Sequence, residues 1–175
     1  VPYRQMIESL IYLSVGTGSN ITFAINKASH LEKSNKIHWN AVKRIFKYLM
    51  GTTKYGIHFS TEQNNHIKAF TDADYATETR KSTIGFILKL DYSAIAWGSI
   101  RQQTVALSIT ETEYIAASQT MKKIISMFKN CTTILYVDNL SAIKLIKNLE
   151  FHRKSKHIDV CYYFIRDNEK EFLLQ

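Results

Sequence analysis

The first fifty residues place apolar and polar side chains with the period of an α-helix. Two apolar stretches come first, at residues 7–14 and 21–31. The third segment is the most regular. Its apolar stripe is Trp39, Val42, Phe46 and Leu49, and its polar stripe is Asn40, Lys43, Arg44 and Lys47. This arrangement predicts three helices, the last of them ended by Gly51, where a left-handed cap costs little.

Beyond residue 54 the period becomes that of strands, and apolar runs alternate with turn residues. Strands are predicted at residues 55–60, 67–71, 82–90, 93–97 and 133–137, with another beginning at 172–174, and helices at 110–129, 140–147 and 155–167. Three early strands should form an antiparallel meander, which the strand after the long helix can join through a crossover. We therefore predict an α/β fold, with a mixed sheet of three antiparallel strands and then parallel additions, flanking helices and a small helical segment in front.

Lysine and arginine outnumber the acidic residues by 23 to 15, so the formal net charge is +8. This excess suits a polyanionic partner such as nucleic acid, although a protein without such a partner can be equally basic. Two cysteines are too few for a disulfide framework, which fits a reducing compartment. Residues 6–15 are too short to span a membrane, and the start at Val1 resembles an excised point in a longer polypeptide rather than a signal peptide. We expect a cytoplasmic or otherwise intracellular protein with no membrane partner.

Two aspartates come directly after apolar strands. Asp72 follows the strand at 67–71, and Asp138 follows the strand at 133–137. An aspartate at such a position often forms only a turn or a helix cap. Ligands of open α/β sheets nevertheless bind beyond strand ends, so both side chains can also face one cleft.

The long helix contributes a third carboxylate. At about 100° per residue, Glu113 shares the core-facing stripe, whereas Glu111 points almost the opposite way and should be solvated. A carboxylate on a buried face is costly unless a metal ion or hydrogen-bond donors compensate it. Three such oxygen ligands suit Mg²⁺ or Mn²⁺, and a pair of these ions can hydrolyse a phosphodiester. The same set also suits a phosphatase or a polymerase.

Seven segments resemble the C-terminal part of copia-type retrotransposon Pol polyproteins, in the order and at nearly the spacing of that family. They are YRQMIESLIYL (3–13), HWNAVKRIFKYLMGT (38–52), FTDADYA (70–76), RKSTIGFIL (80–88), AIAWGSIRQQTVALSITETEYIAAS (94–118), LYVDNLSAIKL (135–145) and FHRKSKHIDVCYYFIRD (151–167). The resemblance covers essentially the whole chain. It implies reverse-transcriptase thumb and connection helices in residues 1–60, and a ribonuclease H domain, incomplete at its C-terminus, in residues 61–175.

The resemblance also implies a chemistry. A domain of this family cuts the RNA strand of an RNA–DNA hybrid with two Mg²⁺ (or Mn²⁺) ions and follows a reverse transcriptase domain in the same polyprotein. Carried over position by position, the family's motifs make Asp72, Glu113 and Asp138 catalytic residues and metal ligands. Asp74 belongs to the first motif, but we interpret it as local structure because it lies past the strand end.

The chain departs from the family in three places. The family's fourth carboxylate lies beyond the final strand, and hence beyond Gln175, and Asp159 is not expected to replace it because its motif lies on an earlier helix. The stretch between Ile125 and Cys131 is shorter than usual, which indicates a deletion. The family's Thr-Arg-Pro-Asp-Ile is Thr-Gly-Ser-Asn-Ile at residues 17–21. Together these differences predict a fragment or a decaying copy.

Basic side chains are the candidate contacts to a nucleic-acid backbone. The stripe of Lys43, Arg44 and Lys47 is the first candidate, although a solvated helix face explains it equally well. The others border the predicted cleft and are Arg80, Lys81, Ser82, Arg101, Gln102 and Gln103. Contacts to phosphate and to the 2′-hydroxyl are expected, without reading of the base sequence.

Three functions are compatible with the sequence. The first is an active, metal-dependent endonuclease for RNA–DNA hybrids, and the second is a catalytically dead remnant that binds nucleic acid or is only structural. The third, an unrelated basic interaction domain, leaves Glu113 and the two strand-end aspartates unexplained. We favour the first as the function of the family and the second as the behaviour of this polypeptide.

Overall fold

A computed structural model describes residues 3–30, 35–59, 66–75, 81–128, 133–147, 164–165, 168 and 172–174. The chain divides into two compact units, Val1–His58 and Phe59–Gln175. Each unit has its own apolar core. Within the described residues, no helix combines the length and the apolar character needed to cross a membrane.

The N-terminal unit consists of helices α1 (Tyr3–Gly16), α2 (Thr22–Ser29) and α3 (Lys36–Gly51), with a 3₁₀ turn at Ser19–Ile21. The three predicted helices are therefore present. Their apolar faces meet in a core of Ile7, Leu10, Ile21, Ile25, Ala28, Val42 and Ile45. α3 begins with a capping box, in which Asn35 Oδ1 accepts hydrogen bonds from two backbone N–H groups of the first turn.

Two details predicted for this unit are wrong. α3 does end at Gly51, but no glycine of the chain has a positive φ, and the cap is Thr52, whose N–H donates to the Leu49 carbonyl. Residues 55–59 pair with no strand in the described part of the chain, so the strand predicted at 55–60 is not formed there. A single extended segment has no ladder of partners for its backbone, so alternation of side chains alone does not make it a strand.

Within its described residues, the C-terminal unit contains one five-stranded sheet and the helices α4 and α5. Its strands are β1 (Ile67–Ala73), β2 (Thr83–Leu90), β3 (Ser93–Arg101), β4 (Thr133–Val137) and β5 (Phe172–Leu174), and its helices are α4 (Ile109–Met127) and α5 (Leu140–Lys147). The sheet order is β3-β2-β1-β4-β5. β1, β2 and β3 pair antiparallel, whereas β4 pairs parallel with β1, and β5 pairs parallel with β4. The predicted mixed sheet is confirmed.

Two strands extend beyond their predicted ends. β3 continues to Arg101, and β1 continues to Ala73, so Asp72 lies within the ladder opposite Gly85 rather than after the strand. Alternation along β1 explains how a strand tolerates this aspartate. Thr71 and Ala73 are buried, whereas Asp72 between them is exposed on the other face.

α4 packs against the buried face of β1. The core between them includes Ala69, Tyr114, Met121 and Ile124, all at most 1% exposed. The two elements also share a buried polar contact, because the Thr120 hydroxyl donates to the Thr71 hydroxyl over 2.9 Å. A hydroxyl pair in a dry core fixes the helix against the strand more specifically than apolar contact does, because each group needs the other as a partner.

We expect this pair to behave as a coupled unit when it is mutated. Thr71→Val or Thr120→Val alone leaves one buried hydroxyl without its partner and should lower the free energy of unfolding by about 1–3 kcal/mol. The double variant should cost less than the sum of the two, by about 1 kcal/mol, because both hydroxyls are then gone. Urea denaturation of the four proteins measures this coupling, and strictly additive values would contradict it.

The helix predicted at residues 155–167 lies almost entirely outside the described residues. Phe164 and Ile165 are helical, and Ile165 is 1% exposed within the core of the C-terminal unit.

Candidate metal-binding and catalytic site

Three carboxylates converge at one end of the C-terminal sheet. Asp72 belongs to β1, Asp138 directly follows β4, and Glu113 lies in the second turn of α4. Each offers one oxygen, and these oxygens all lie within 4.8 Å of one another. The structure therefore brings together the three residues singled out from the sequence.

Sheet register explains why the two aspartates are neighbours. β1 and β4 run parallel, and the last pair in their register is Thr71 with Val137. Asp72 and Asp138 are the next residues on each strand. They therefore lie side by side although 66 positions separate them in the chain.

Asp138 lies in the turn between β4 and α5. Asn139 caps α5, because its Oδ1 accepts hydrogen bonds from Ser141 N at 2.9 Å and Ala142 N at 3.0 Å. A helix cap was one role considered for Asp138, but Asn139 provides that cap. Asp138 itself is exposed.

Glu113 is the buried member of the cluster. Its side chain is 3% exposed, and its Oε1 accepts a hydrogen bond from Ala73 N at 3.1 Å. The other oxygen, Oε2, is buried and has no hydrogen-bond partner in the described part of the chain. One carboxylate oxygen is therefore held at the end of β1, while the second accepts no hydrogen bond from the described residues.

Burial raises the pKa of Glu113 to about 7 from its ordinary value of 4.5. The hydrogen bond from Ala73 lowers this pKa, but the negative charges of Asp72 and Asp138 raise it further. In the absence of a cation, Glu113 therefore holds its proton to a much higher pH than an ordinary glutamate. A divalent cation beside the three carboxylates would favour the charged form instead.

The donor set fits a hard divalent cation. All three ligands are carboxylate oxygens, which Mg²⁺ and Mn²⁺ prefer, and no histidine or cysteine belongs to the cluster among the described residues. The buried oxygen without a partner and the mutual repulsion of the carboxylates are both relieved by a positive charge at their centre. These features distinguish the cluster from a solvated acidic patch.

The expectation that Glu111 is solvated is wrong. Glu111 is 9% exposed, and its Oε2 accepts a hydrogen bond from Leu107 N at 2.8 Å, while its own N–H donates to Ser108 Oγ. The whole segment from Glu111 to Ser118 is buried, so facing away from the core stripe does not mean facing water here. Glu111 thus stabilises the start of α4, where an acidic side chain is favoured.

Asp74 has the local role expected of it. Its N–H donates to the Thr83 carbonyl at 3.1 Å, and its Oδ1 accepts a hydrogen bond from Thr83 N. Asp74 thus connects the end of β1 to the start of β2. It does not belong to the carboxylate cluster.

Gln102 and Ser82 cannot contact nucleic acid as expected, because they are 1% and 3% exposed. Gln102 instead joins β3 to α4: its N–H donates to the Ser82 carbonyl at 2.7 Å, and its Nε2 donates to the Thr112 carbonyl at 3.0 Å. Thr112 immediately precedes Glu113. Sequence reasoning missed this positioning role, since a glutamine after a strand has no pattern that marks it as buried.

We expect Gln102→Met to lower the free energy of unfolding by about 1 kcal/mol, because a side chain of similar size no longer donates to the Thr112 carbonyl. The adjacent Gln103 is exposed and makes a matched control, since Gln103→Met should change stability by less than about 0.5 kcal/mol. Thermal denaturation of both variants tests this. Equal effects would show that Gln102 contributes no specific contact.

The remaining predicted contact residues are surface side chains. Lys43, Arg44 and Lys47 are exposed on α3, in the N-terminal unit, and Lys43 Nζ lies 5.4 Å from the ring centre of Trp39. In the C-terminal unit, Lys81 and Arg101 are half-buried and Gln103 is exposed. Arg80 lies outside the described residues.

Known proteins are similar to this chain in sequence. No protein-family profile matches the chain. The chain is 40% identical over 178 residues to the retrovirus-related Pol polyprotein from transposon TNT 1-94 of Nicotiana tabacum, an alignment that covers 95% of the chain and 13% of that polyprotein. The chain therefore spans only a small part of this relative.

Two solved structures share the fold. A foamy viral protease–reverse transcriptase in complex with an RNA/DNA hybrid aligns with a TM-score of 0.62 at 14% identity, covering 99% of this chain and 25% of that one. LC11-RNase H1, isolated from compost, aligns with a TM-score of 0.50 at 10% identity, covering 63% of this chain and 83% of that one. At these identities the likeness concerns the fold, and the five-stranded mixed sheet with its helices is the ribonuclease H arrangement.

Proposed function

Because the chain belongs to the retrovirus-related Pol polyproteins of copia-type transposons, we propose that its C-terminal unit is a metal-dependent ribonuclease H that hydrolyses the RNA strand of RNA–DNA hybrids. The observation that carries this proposal is the convergence of Asp72, Glu113 and Asp138, whose ligand oxygens lie within 4.8 Å of one another. The ribonuclease H fold of the unit favours this reaction over the phosphatase and polymerase alternatives.

Asp72, Glu113 and Asp138 would hold two divalent ions, Mg²⁺ or Mn²⁺. When bound, such ions activate a water and stabilise the charge that develops on the phosphate oxygens. Asp72 and Asp138 are exposed and thus accessible to a substrate phosphate, whereas Glu113 is buried. The Ala73 N–H holds Glu113 Oε1 at the end of β1.

We propose an RNA–DNA hybrid as the nucleic-acid partner. A hybrid is what the foamy viral reverse transcriptase of similar fold binds, and the net charge of +8 supports a polyanionic ligand. Backbone contacts from the C-terminal unit are proposed for Arg80, Lys81, Arg101 and Gln103. Sequence-independent binding is expected, because phosphate contacts do not read bases.

The N-terminal unit has a proposed role in the same polyprotein. We assign α1, α2 and α3, within residues 1–60, to the thumb and connection of a reverse transcriptase that precedes the ribonuclease H domain, residues 61–175. The stripe Lys43, Arg44 and Lys47 would contact phosphates of a nucleic-acid backbone. A cytoplasmic location, in the cell or in a virus-like particle, belongs to this proposal.

The alternative of a catalytically inactive remnant is not favoured. What supports activity is the convergence of the three carboxylates, together with the β1–β4 register and the hydrogen bond from Ala73 N to Glu113. The deciding question is therefore whether the chain cleaves.

The experiment is a cleavage assay of the purified chain on an end-labelled RNA annealed to DNA, with millimolar Mg²⁺ or Mn²⁺. We expect cleavage of the RNA strand in the hybrid, none in the presence of EDTA, and little on the same RNA as a single strand or on duplex DNA. A folded protein that leaves the hybrid intact with both metals would overturn the proposed function.

A further inference from the structure

Gln102 is a buried amide that leaves part of its hydrogen-bonding capacity unused. Its side chain is 1% exposed, and its Nε2 donates to the Thr112 carbonyl at 3.0 Å. Its Oε1 is buried and has no hydrogen-bond partner in the described part of the chain. Burying an amide oxygen without a partner is unfavourable, and an apolar side chain of similar size would avoid that cost. The contact with Thr112 is therefore better explained by what it positions than by the stability it contributes.

The backbone of Gln102 takes part in a series of hydrogen bonds at the end of the sheet where the carboxylates lie. Its N–H donates to the Ser82 carbonyl at 2.7 Å, which joins the end of β3 to the residue before β2. The next residue, Thr83, exchanges two hydrogen bonds with Asp74. Asp74 N donates to the Thr83 carbonyl at 3.1 Å, and Thr83 N donates to Asp74 Oδ1. Gln102 is thereby connected through β2 to the end of β1.

Glu113 closes this series into a ring. Asp74 follows Ala73, whose N–H donates to Glu113 Oε1 at 3.1 Å. Glu113 in turn follows Thr112, the residue whose carbonyl accepts from Gln102. The carboxylate of Glu113 is thus held by β1, and the adjacent backbone of its helix is held by the residue after β3. A single hydrogen bond lets a long side chain pivot about the contact, so both points are needed to keep the carboxylate in one place.

Other contacts at the start of α4 are local. Ser108 Oγ accepts from Glu111 N at 3.1 Å, and the Ser108 carbonyl accepts from the Thr112 hydroxyl at 3.0 Å. Such contacts stabilise the first turn of the helix. Both partners belong to the same short segment, however, so these contacts do not set where that turn lies relative to the sheet. Gln102 lies 10 residues before Thr112 and directly follows β3, so its amide is suited to fixing the helix against the sheet.

We propose that Gln102 is a positioning residue of the metal site. By holding the Thr112 carbonyl, it fixes the turn of α4 that carries Glu113 and thereby keeps that carboxylate within the cluster of three. This inference rests on the proposed function and adds to it a residue that belongs neither to the ligands nor to the contacts with nucleic acid. Because Gln102 acts through Glu113, its loss should weaken the binding of a divalent ion and change the reaction of the ion-bound protein little.

The test measures Mn²⁺ binding directly, without nucleic acid, from the loss of the electron paramagnetic resonance signal of free Mn²⁺ as the protein is added. The variant is Gln102→Met, whose side chain has a similar size but cannot donate to the Thr112 carbonyl. We expect its affinity for Mn²⁺ to be about tenfold lower than that of the wild type, as for other residues that orient a metal ligand. Gln102→Leu should show the same loss, because it lacks the donor as well.

The matched control is Ile124→Val, a buried position of the same helix that lies about three turns beyond Glu113. It should lower the midpoint of thermal denaturation about as much as Gln102→Met without touching the ring. Its affinity for Mn²⁺ should stay within about twofold of the wild type. Equal losses of affinity in both variants would reduce the effect to a general loosening of the fold and overturn the assignment. So would wild-type affinity in Gln102→Met, or a failure of both Gln102 variants to fold.

Cleavage of the hybrid gives a second readout. Gln102→Met should need about tenfold more Mn²⁺ for half-maximal activity, yet reach a rate within about threefold of the wild type when the ion is saturating, because its three ligands are unchanged. A rate at saturating ion as low as that of Asp72→Asn would contradict a role in positioning alone. A protein that loses Mn²⁺ affinity through Gln102→Met, but whose wild type never cleaves, would refute the proposed function and leave this inference standing.

Discussion

Asp72→Asn should lower the rate of hybrid cleavage at least about 100-fold without unfolding the protein. The side chain is exposed within β1, so the amide fits the same space and the strand keeps its pairing with Gly85 and β4. What the substitution removes is one negatively charged ligand of a cluster of three. The loss should therefore appear in the rate and in the Mg²⁺ concentration needed for half-maximal activity.

Asp74→Asn is the matched control for this substitution, because it makes the same chemical change two residues further along. Asn keeps the Oδ1 that accepts the hydrogen bond from Thr83 N, and Asp74 does not belong to the cluster. Its activity should stay within a few-fold of the wild type. If Asp74→Asn were as damaging as Asp72→Asn, the assignment of Asp74 to local structure would be wrong.

Glu113→Gln should make the metal-free protein more stable at pH 8. Burial and two neighbouring carboxylates raise the pKa of Glu113 to about 7, so above that pH the wild type carries an unfavourable buried charge that Gln lacks. The amide retains an oxygen to accept from Ala73 N and can donate to an adjacent aspartate. The gain in the free energy of unfolding should be on the order of 2 kcal/mol.

The direction of the pH dependence follows from the raised pKa. A carboxyl group whose pKa is higher in the folded state than in the unfolded state stabilises the folded state at pH values below its pKa in the unfolded state. That stability is lost as the pH rises through the folded value. The wild type and Glu113→Gln should therefore have similar stability near pH 4.5 and diverge between pH 4.5 and about 8.

Mg²⁺ should reverse this difference. Binding to the folded state alone stabilises it by about 2.7 kcal/mol when the ion is present at 100 times its dissociation constant. Glu113→Gln lacks one ligand charge, so Mg²⁺ should raise its free energy of unfolding by less. Thermal denaturation of both proteins at pH 5 and pH 8, with and without Mg²⁺, measures all of these effects. A wild type that is insensitive to Mg²⁺ at pH 8 would count against a metal site at the cluster.

The bounds of helices and strands, and the face on which a side chain lies, were well predicted from the sequence where a pattern repeats along consecutive residues. The bounds of β4 and α5 agree with the predicted 133–137 and 140–147, because apolar periodicity and flanking polar residues mark them locally. The inward direction of Glu113 follows from its spacing to Ala117 and Met121 on one helix. Asp74 was assigned to local structure from its place past the predicted strand end.

The burial of individual polar side chains was not predictable in the same way. Glu111 lies on the side of α4 away from the core stripe and is nevertheless buried, with its Oε2 accepting a hydrogen bond from Leu107 N. Gln102 is polar and adjacent to the exposed Gln103, yet it is buried against the Thr112 carbonyl. Which polar side chains are covered depends on segments distant in sequence, and no local period records that.

By itself, the sequence determined the order of the elements, the mixed α/β character of the sheet and the three carboxylates worth attention, since each depends on residues close together in the chain. The tertiary structure decided that Asp72 lies inside β1, that Thr71 pairs with Val137 and so brings Asp138 beside it, and that Gln102 donates to the helix turn that carries Glu113. The physical reason is that strand register and helix docking are set by the packing of the whole core, in which contacts between distant segments decide among arrangements that local patterns leave equally possible.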